Sequence, residues 1–168
     1  MSETTTGDTP QRVRMTAPLV RRPAGVGLPV RTVEPSDLPD LAYLMHDAYA
    51  GTIDVTGDET LEGARSELAA YLGGSHGPPL LDCSYLAEEN NLPVCASLIC
   101  LYQDAPLLAF VFTEPSWKGR GLATNLIQLS MNTLSARGFA QLHLSVTLGN
   151  DPAIHIYEKL GFWEAVGA

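Results

Sequence analysis

The chain has 168 residues, of which 45% are hydrophobic, and this combination predicts one globular domain with a buried core. Its formal net charge is −9, and seventeen of the nineteen acidic residues follow Arg31, which disfavours nucleic acid as a partner because the phosphate backbone is also anionic. No apolar run approaches the ~20 residues of a membrane span, and residues 1–30 lack the apolar stretch of a secretory signal, so we expect a cytoplasmic protein that does not bind membranes.

The N-terminal segment, residues 1–28, is predicted to be a flexible tail. It is rich in Thr, Pro, Gly and Arg and shows no sustained strand or helix periodicity. The sequence leaves open whether residues 18–22 form a short strand. The folded domain is predicted to fill residues 29–168.

Two helices are predicted near the start of this domain. A β-prone run at residues 28–33 precedes apolar residues at helical spacing, which predict a first helix that ends near Ala50. A loop over residues 52–59 leads to Thr60, whose side chain can cap a second helix that stops at Gly73.

The middle of the chain predicts an antiparallel meander, because short polar turns separate three β-prone runs at residues 83–87, 93–102 and 106–113. A glycine-rich loop, a helix closed by Gly138 and an alternating strand at residues 141–148 follow, and a crossover of this kind makes its two strands parallel. Pro152 opens a last helix, and residues 162–166 form a final short strand. The predicted order of elements is β-α-α-β-β-β-α-β-α-β.

The three cysteines are Cys83, Cys95 and Cys100. An odd number without metal-like spacing predicts neither a disulfide framework nor a metal site. All three are interpreted as core or strand residues. Cys95 and Cys100 should lie on opposite faces of one strand because their separation is odd.

A strand that runs through a glycine-rich turn directly into a helix lies at residues 113–123. Gly119 and Gly121 leave backbone N–H groups unshielded, and the helix start adds about half a positive charge, so this turn favours a diphosphate group. A nucleoside-triphosphate loop ends in Gly-Lys-Ser/Thr, whereas Leu122 and Ala123 follow Gly121 here, so this class of site is disfavoured. A dinucleotide-binding site is also disfavoured, because its fingerprint needs a third glycine that is absent from this segment. A plain glycine turn is the alternative interpretation.

A second informative segment, residues 150–162, contains the last predicted helix. Ala153, Tyr157 and Leu160 share one face of this helix. Taken alone, Tyr157 is more typical of a packed aromatic residue than of a catalyst.

Together the two segments resemble the GNAT superfamily of N-acetyltransferases. The cofactor motif Arg/Gln-x-x-Gly-x-Gly/Ala is matched by residues 118–123, with Lys118 in place of the usual Arg or Gln. The second motif, Asn-x-x-Ala-x-x-x-Tyr-x-x-x-Gly-Phe, is matched at Asn150, Ala153, Tyr157, Gly161 and Phe162. The resemblance covers residues 107–162 and implies the GNAT fold, an α/β (α+β) domain with a mixed, mostly antiparallel sheet whose fourth and fifth strands splay apart.

The resemblance also implies acetyl-coenzyme A as the cosubstrate, bound in the gap between the splayed strands. The cofactor-binding residues that it implies are Phe112, Thr113, Lys118, Gly119, Arg120, Gly121, Leu122, Ala123, Thr124 and Asn150. Among these, Arg120 could equally point to solvent.

The implied reaction is direct attack of an amine on the thioester. Tyr157 occupies the family's general-acid position, and a phenol pKa of ~10 suits donation to the departing sulfur. Glu114, at the end of the fourth predicted strand, is the candidate base. Asp54 and Asp58 lie in the loop where acceptors usually enter this fold and could bind a cationic amine. His143 lies on the polar face of the fifth strand, where a histidine is more often exposed or hydrogen-bonded than catalytic.

The C-terminal end departs from the family pattern. The family continues through two strands after Gly-Phe, whereas residues 163–168 alone remain here, so the C-terminal strand is predicted to be truncated. The N-terminal tail or a partner chain could fill the exposed sheet edge, and the second option predicts a homodimer. The expected function is N-acetylation of a small molecule or peptide amine, and the alternative is a non-catalytic module that binds acyl-coenzyme A as a sensor.

Overall fold

The computed structural model describes residues 11–50 and 60–165, so Asp54 and Asp58 lie outside the described residues. The strands are β1 (Arg12–Pro18), β2 (Val30–Thr32), β3 (Tyr85–Glu89), β4 (Leu92–Tyr102), β5 (Ala105–Thr113), β6 (Gln141–Thr147) and β7 (Trp163–Glu164). The helices are α1 (Leu38–Tyr49), α2 (Leu61–Leu72), α3 (Leu122–Ala136) and α4 (Asp151–Lys159). None of the helices in this part of the chain has the length and apolarity needed to cross a bilayer.

The strands form a seven-stranded sheet in the order β2-β3-β4-β5-β6-β1-β7. The meander β3-β4-β5 is antiparallel, and β5 is parallel to β6, which confirms both predictions. Thr60 caps α2 by accepting a hydrogen bond from the backbone N–H of Gly63 at 2.9 Å, as predicted. The predicted mixed, mostly antiparallel α/β fold is therefore confirmed.

Strand β1 corrects the prediction of a tail for residues 12–18. It pairs antiparallel with β6 along its whole length, and Met15, Thr16 and Ala17 are buried. The physical reason is that β7 is only two residues long and pairs with β1 instead of β6, so β6 would otherwise have an open edge. The hypothesis that the N-terminal segment fills this edge is confirmed, and the filled edge removes the reason for expecting a homodimer.

The helices cover the two faces of the sheet in pairs. Helices α3 and α4 pack on one face, where Met131 and Leu134 contact the buried face of β6. Helices α1 and α2 pack on the other face, where Met45 and Leu68 join the buried residues of β3 and β4. Each face thus buries the apolar side chains that alternate along the central strands.

The cysteines are buried and free, as predicted. Cys95 belongs to the α3 side of the sheet and Cys100 to the α1–α2 side, so the two do lie on opposite faces of β4. Burial raises the pKa of each of these two thiols to about 11. Both therefore stay protonated at neutral pH and act as small core residues.

Two irregularities open the sheet between β5 and β6. Where Leu98 and Ile99 pair with Phe110 and Leu108, the register shifts and leaves Ala109 as an extra residue on β5. Such a bulge bends and twists its strand. Pairing between β5 and β6 is confined to Leu107 and His143, so the two strands separate toward their C-terminal ends. The predicted splay lies at this point.

Replacing Met15 by Ala should lower the free energy of unfolding by about 2–4 kcal/mol, because the side chain is 4% exposed and the change leaves a cavity in the core. Denaturant unfolding monitored by circular dichroism measures the difference. Arg14→Ala, an exposed neighbour on the opposite face of β1, is the control and should change stability by no more than about 0.5 kcal/mol. Equal stability of the Met15 variant and the wild type would contradict the placement of β1 in the sheet.

Candidate active site

The connection from β5 to α3 begins with a capped turn. Glu114 precedes a short 3-10 turn, Pro115–Trp117, and its Oε2 accepts hydrogen bonds from the backbone N–H of Ser116 at 3.0 Å and from the Ser116 hydroxyl. The backbone N–H of Glu114 donates to the Val94 carbonyl at 2.8 Å. The main structural role of Glu114, the predicted base, is therefore to fix the direction in which the chain leaves β5.

The glycines of this connection have backbone conformations that other residues rarely adopt. Gly119 and Gly121 both have φ of +79°, and Gly121 is the N-cap of α3. In this left-handed region a side chain costs roughly 1–2 kcal/mol. A Cβ built on Gly119 would meet no atom within 4 Å, so the space beside the loop is open. The loop can accept a ligand close to its backbone.

The backbone N–H groups of residues 119–124 donate no hydrogen bond to any residue that the structure describes. The first N–H groups of a helix lack partners within the helix, and the helix dipole makes this end positive. Several bare donors beside an open space form a site for an anion. The arrangement therefore fits the diphosphate predicted for Gly119, Gly121, Leu122, Ala123 and Thr124.

The two cations of the motif contact different neighbours. Lys118 Nζ donates to the Ala48 carbonyl at the end of α1, at 3.4 Å. The Arg120 guanidinium lies over the Trp117 ring, 4.4 Å from its centroid, and donates to the Ser116 carbonyl at 3.4 Å. Arg120 is thus held against the turn beside the loop, and Lys118 ties the loop to α1.

The edge of β5 holds the other residues predicted to line the cofactor. Phe112 is buried and packs edge-on against Tyr49 with ring centroids 6.0 Å apart, and Thr113 Oγ1 lies 3.3 Å from Cys95 Sγ. The Tyr49 hydroxyl donates to the Val111 carbonyl at 3.2 Å. Sequence reasoning did not single out Tyr49, because nothing in a helix-terminal tyrosine indicates a bond to a distant strand.

Helix α4 places Tyr157 and Asn150. Tyr157 is 7% exposed and packs edge-on against Phe162 at 5.9 Å between ring centroids. Asn150 caps the helix by accepting a hydrogen bond from the backbone N–H of Ala153 at 3.4 Å. Asn150 thus orients α4, and with it Tyr157.

Asn125 is a residue of this region that the sequence did not reveal. Its Nδ2 donates to the Gly121 carbonyl at 2.8 Å, and its Oδ1 accepts from the backbone N–H of Gly25 at 3.4 Å. Gln128 and Asn132, one and two turns further along α3, bind the backbone of Val20 and Arg22 in the same way. The signal that could have found them is the helical spacing of three amide side chains. They hold the segment between β1 and β2 along α3.

A shallow depression of about 460 Å³ lies elsewhere on α3. It is lined by Arg21, Arg22, Pro23, Asn132, Thr133 and Ala136. These residues lie toward the C-terminal end of α3, whereas the bare N–H groups lie at its N-terminal end. The depression is therefore separate from the loop.

The proteins that this chain resembles are named acetyltransferases. The family model for Acetyltransferase (GNAT) matches residues 53–162. An acetyltransferase of Pectobacterium atrosepticum is 34% identical over 89 residues, which are 52% of this chain and 60% of that protein. The [ribosomal protein bS18]-alanine N-acetyltransferase of Salmonella typhimurium is 30% identical over 92 residues, which are 55% of this chain and 61% of that protein. The matched stretches thus span less than two thirds of these relatives' lengths.

A solved structure gives the same fold. The crystal structure of the ribosomal-protein-S18-alanine N-acetyltransferase from Escherichia coli superposes with a TM-score of 0.65 at 24% sequence identity, covering 82% of this chain and 79% of that one. The matched family region includes the β5–α3 loop and α4, the two segments that place the bare N–H groups and Tyr157.

Proposed function

Because the chain belongs to the Acetyltransferase (GNAT) family, we propose that it transfers the acetyl group of acetyl-coenzyme A to an amine. The observation that carries this proposal is the run of N–H groups at residues 119–124 that have no hydrogen-bond partner in the described part of the chain, set between the splayed strands and the start of α3. The predicted cytoplasmic location stays a prediction.

The first task of the chain is to hold the cosubstrate. The N–H groups of residues 119–124 would bind the diphosphate, with Lys118 and Arg120 as the nearby cations. The open edge of β5 near Phe112 and Thr113 would hold the pantetheine arm, because β6 leaves main-chain groups of β5 without a strand partner. Bound in this way, acetyl-coenzyme A supplies an activated thioester.

The second task is proton transfer at the leaving group. Tyr157 is proposed to donate its phenolic proton to the sulfur as the C–S bond breaks. Asn150 and Phe162 support this role, because the first caps α4 and the second packs against the ring. Glu114 borders the loop and is the base suggested by the family resemblance.

The acceptor is proposed to be a peptide amine. Support comes from the Salmonella typhimurium relative, whose name states that it acetylates the alanine of ribosomal protein bS18. The net charge of −9 is compatible with a cationic acceptor. Asp54 and Asp58 remain candidates for contact with this amine.

The second candidate function is a module that binds acyl-coenzyme A without turnover. The same loop would serve both functions, so the test must separate binding from catalysis. Binding of acetyl-coenzyme A is measured by calorimetry. Thiol release is measured with a short N-terminal-alanine peptide and with a panel of small amines. Release above the acceptor-free rate supports the transferase, whereas binding without release on any acceptor would favour the module.

A further inference from the structure

His143 lies where the splayed strands meet. It is the β6 residue that pairs with Leu107 of β5, and across the other edge of β6 it faces Thr16 of β1. Its strand neighbours Leu142 and Leu144 are buried in the core under α3 and α4. Because side chains alternate along a strand, His143 projects from the opposite face, the one on which α1 and α2 lie.

The ring of His143 has an unsatisfied polar atom. Nδ1 is buried and has no hydrogen-bond partner among the described residues. Leaving such a group unpaired costs roughly 1–3 kcal/mol, and an unpaired buried group in a folded protein calls for an explanation. A ligand that reaches this nitrogen would remove the cost.

The position of His143 matches the end of the proposed cosubstrate channel. The gap between β5 and β6 runs from the loop at Thr113 to the pair Leu107 and His143, a length of about 20 Å for six residues of strand. An arm that enters at the loop and follows β5 carries its thioester toward the end of the gap that His143 closes. His143 therefore lies at the end of the gap toward which the proposed thioester would point.

The surroundings of His143 favour its neutral form. Burial is the larger cause that lowers the pKa of His143, and the positive charge of Arg14 on the same face of β1 is the second. Its direct neighbours Thr16 and Leu107 are uncharged. Among the described residues no carboxylate pairs with the ring. A neutral imidazole is the form that can accept a proton.

We propose that His143, in preference to Glu114, is the base that removes a proton from the acceptor amine, an inference that rests on the proposed acetyl transfer. As the amine nitrogen forms its bond to the acetyl carbon, the C–S bond breaks. The proton leaving the nitrogen goes to the imidazole, and the departing thiolate takes a proton from Tyr157. Glu114 does not compete well for this role because its Oε2 is already bonded to Ser116.

The test compares His143→Gln with Glu114→Gln, using acetyl-coenzyme A and the N-terminal-alanine peptide. His143→Gln should lower kcat by about 10²–10⁴-fold, the usual contribution of a general base, and Glu114→Gln by less than about tenfold. The wild-type rate should fall as the pH drops through the lowered pKa of His143, and this decline should be absent from the residual rate of His143→Gln. Added imidazole should restore part of the rate of His143→Ala.

Two controls separate a chemical role from a structural one. His155→Gln, an exposed histidine on α4, should keep the wild-type rate and pH profile. Acetyl-coenzyme A should bind the His143 variants within about twofold of the wild type, since His143 is not proposed to hold the diphosphate. If His143→Gln fails to fold, the His143→Ala rescue and His143→Asn are measured instead.

The outcomes are distinct. An active wild type with an unchanged rate and pH profile in His143→Gln overturns the role of His143 and leaves acetyl transfer intact. If His143→Gln does not fold, two results together overturn the role: added imidazole does not restore the rate of a slow His143→Ala variant, and the pH profile of His143→Asn equals that of the wild type. A wild type that binds acetyl-coenzyme A but releases no thiol above the acceptor-free rate with any amine overturns the proposed function, and the role of His143 with it.

Discussion

Replacing Tyr157 by Phe should lower kcat by about 10²–10³-fold, because a positioned general acid contributes about that much to the rate. The change removes one hydroxyl and keeps the ring that packs against Phe162. Stability should fall little, and the affinity for acetyl-coenzyme A should stay within about twofold, since the hydroxyl acts on the leaving sulfur and not on the diphosphate. Steady-state kinetics and calorimetry on the same preparation measure both quantities.

The matched control for this variant is Tyr102→Phe. Tyr102 is 44% exposed at the end of β4, so loss of its hydroxyl should change neither rate nor binding. An unchanged kcat in Tyr157→Phe would remove Tyr157 from the mechanism. A loss of acetyl-coenzyme A binding equal to the loss of rate would assign it to the binding site instead.

The largest expected effect on binding comes from a carboxylate at the N-cap of α3. Gly121→Asp places a negative charge beside the diphosphate, and two unit charges about 5 Å apart repel by about 3 kcal/mol at an effective dielectric constant of 20. The dissociation constant of acetyl-coenzyme A should rise by roughly a hundredfold. Gly121→Asn has the same shape without the charge, and asparagine tolerates a positive φ, so it should weaken binding by less than about tenfold.

Gly138 supplies the control at the other end of α3. It has a φ of +91° just beyond the end of the helix, similar to that of Gly121. Gly138→Asn and Gly138→Asp therefore introduce the same two side chains far from the loop. Neither should change the affinity for acetyl-coenzyme A. Equal affinities of Gly121→Asp and Gly121→Asn would mean that no anion binds at this helix start.

The sequence predicted most elements because their signals are local. The cap at Thr60 and the glycines at positions 121 and 138 fix the ends of helices through hydrogen bonds and φ angles within a few residues. The glycine loop was also predictable, because a strand, a glycine turn and a helix in this order leave bare N–H groups wherever they occur.

Strand β1 was missed although its pattern is present. Val13, Met15 and Ala17 alternate with polar residues, but the run is short and lies among Pro, Gly and Arg residues that indicate a tail. Its partner, β6, is more than a hundred residues away, and such a pairing leaves no local signal.

The site was predicted less well than the fold. A motif names residues such as Glu114 and Asn150 but does not say that their side chains cap a turn and a helix. The burial of His143 Nδ1, for which the described residues supply no hydrogen-bond partner, depends on the packing of β1 and β5 on either side of β6. The sequence shows only that the histidine alternates with apolar residues.

The central claim is that the N–H groups of residues 119–124 bind the diphosphate of coenzyme A. Amide signals of ¹⁵N-labelled protein, followed by NMR during a titration with coenzyme A, test it directly. The signals of Gly119, Gly121, Leu122 and Ala123 should shift further than those of α1 and α2, and pantetheine, which lacks the diphosphate, should leave them in place. Coenzyme A that binds without moving these four signals would contradict the account.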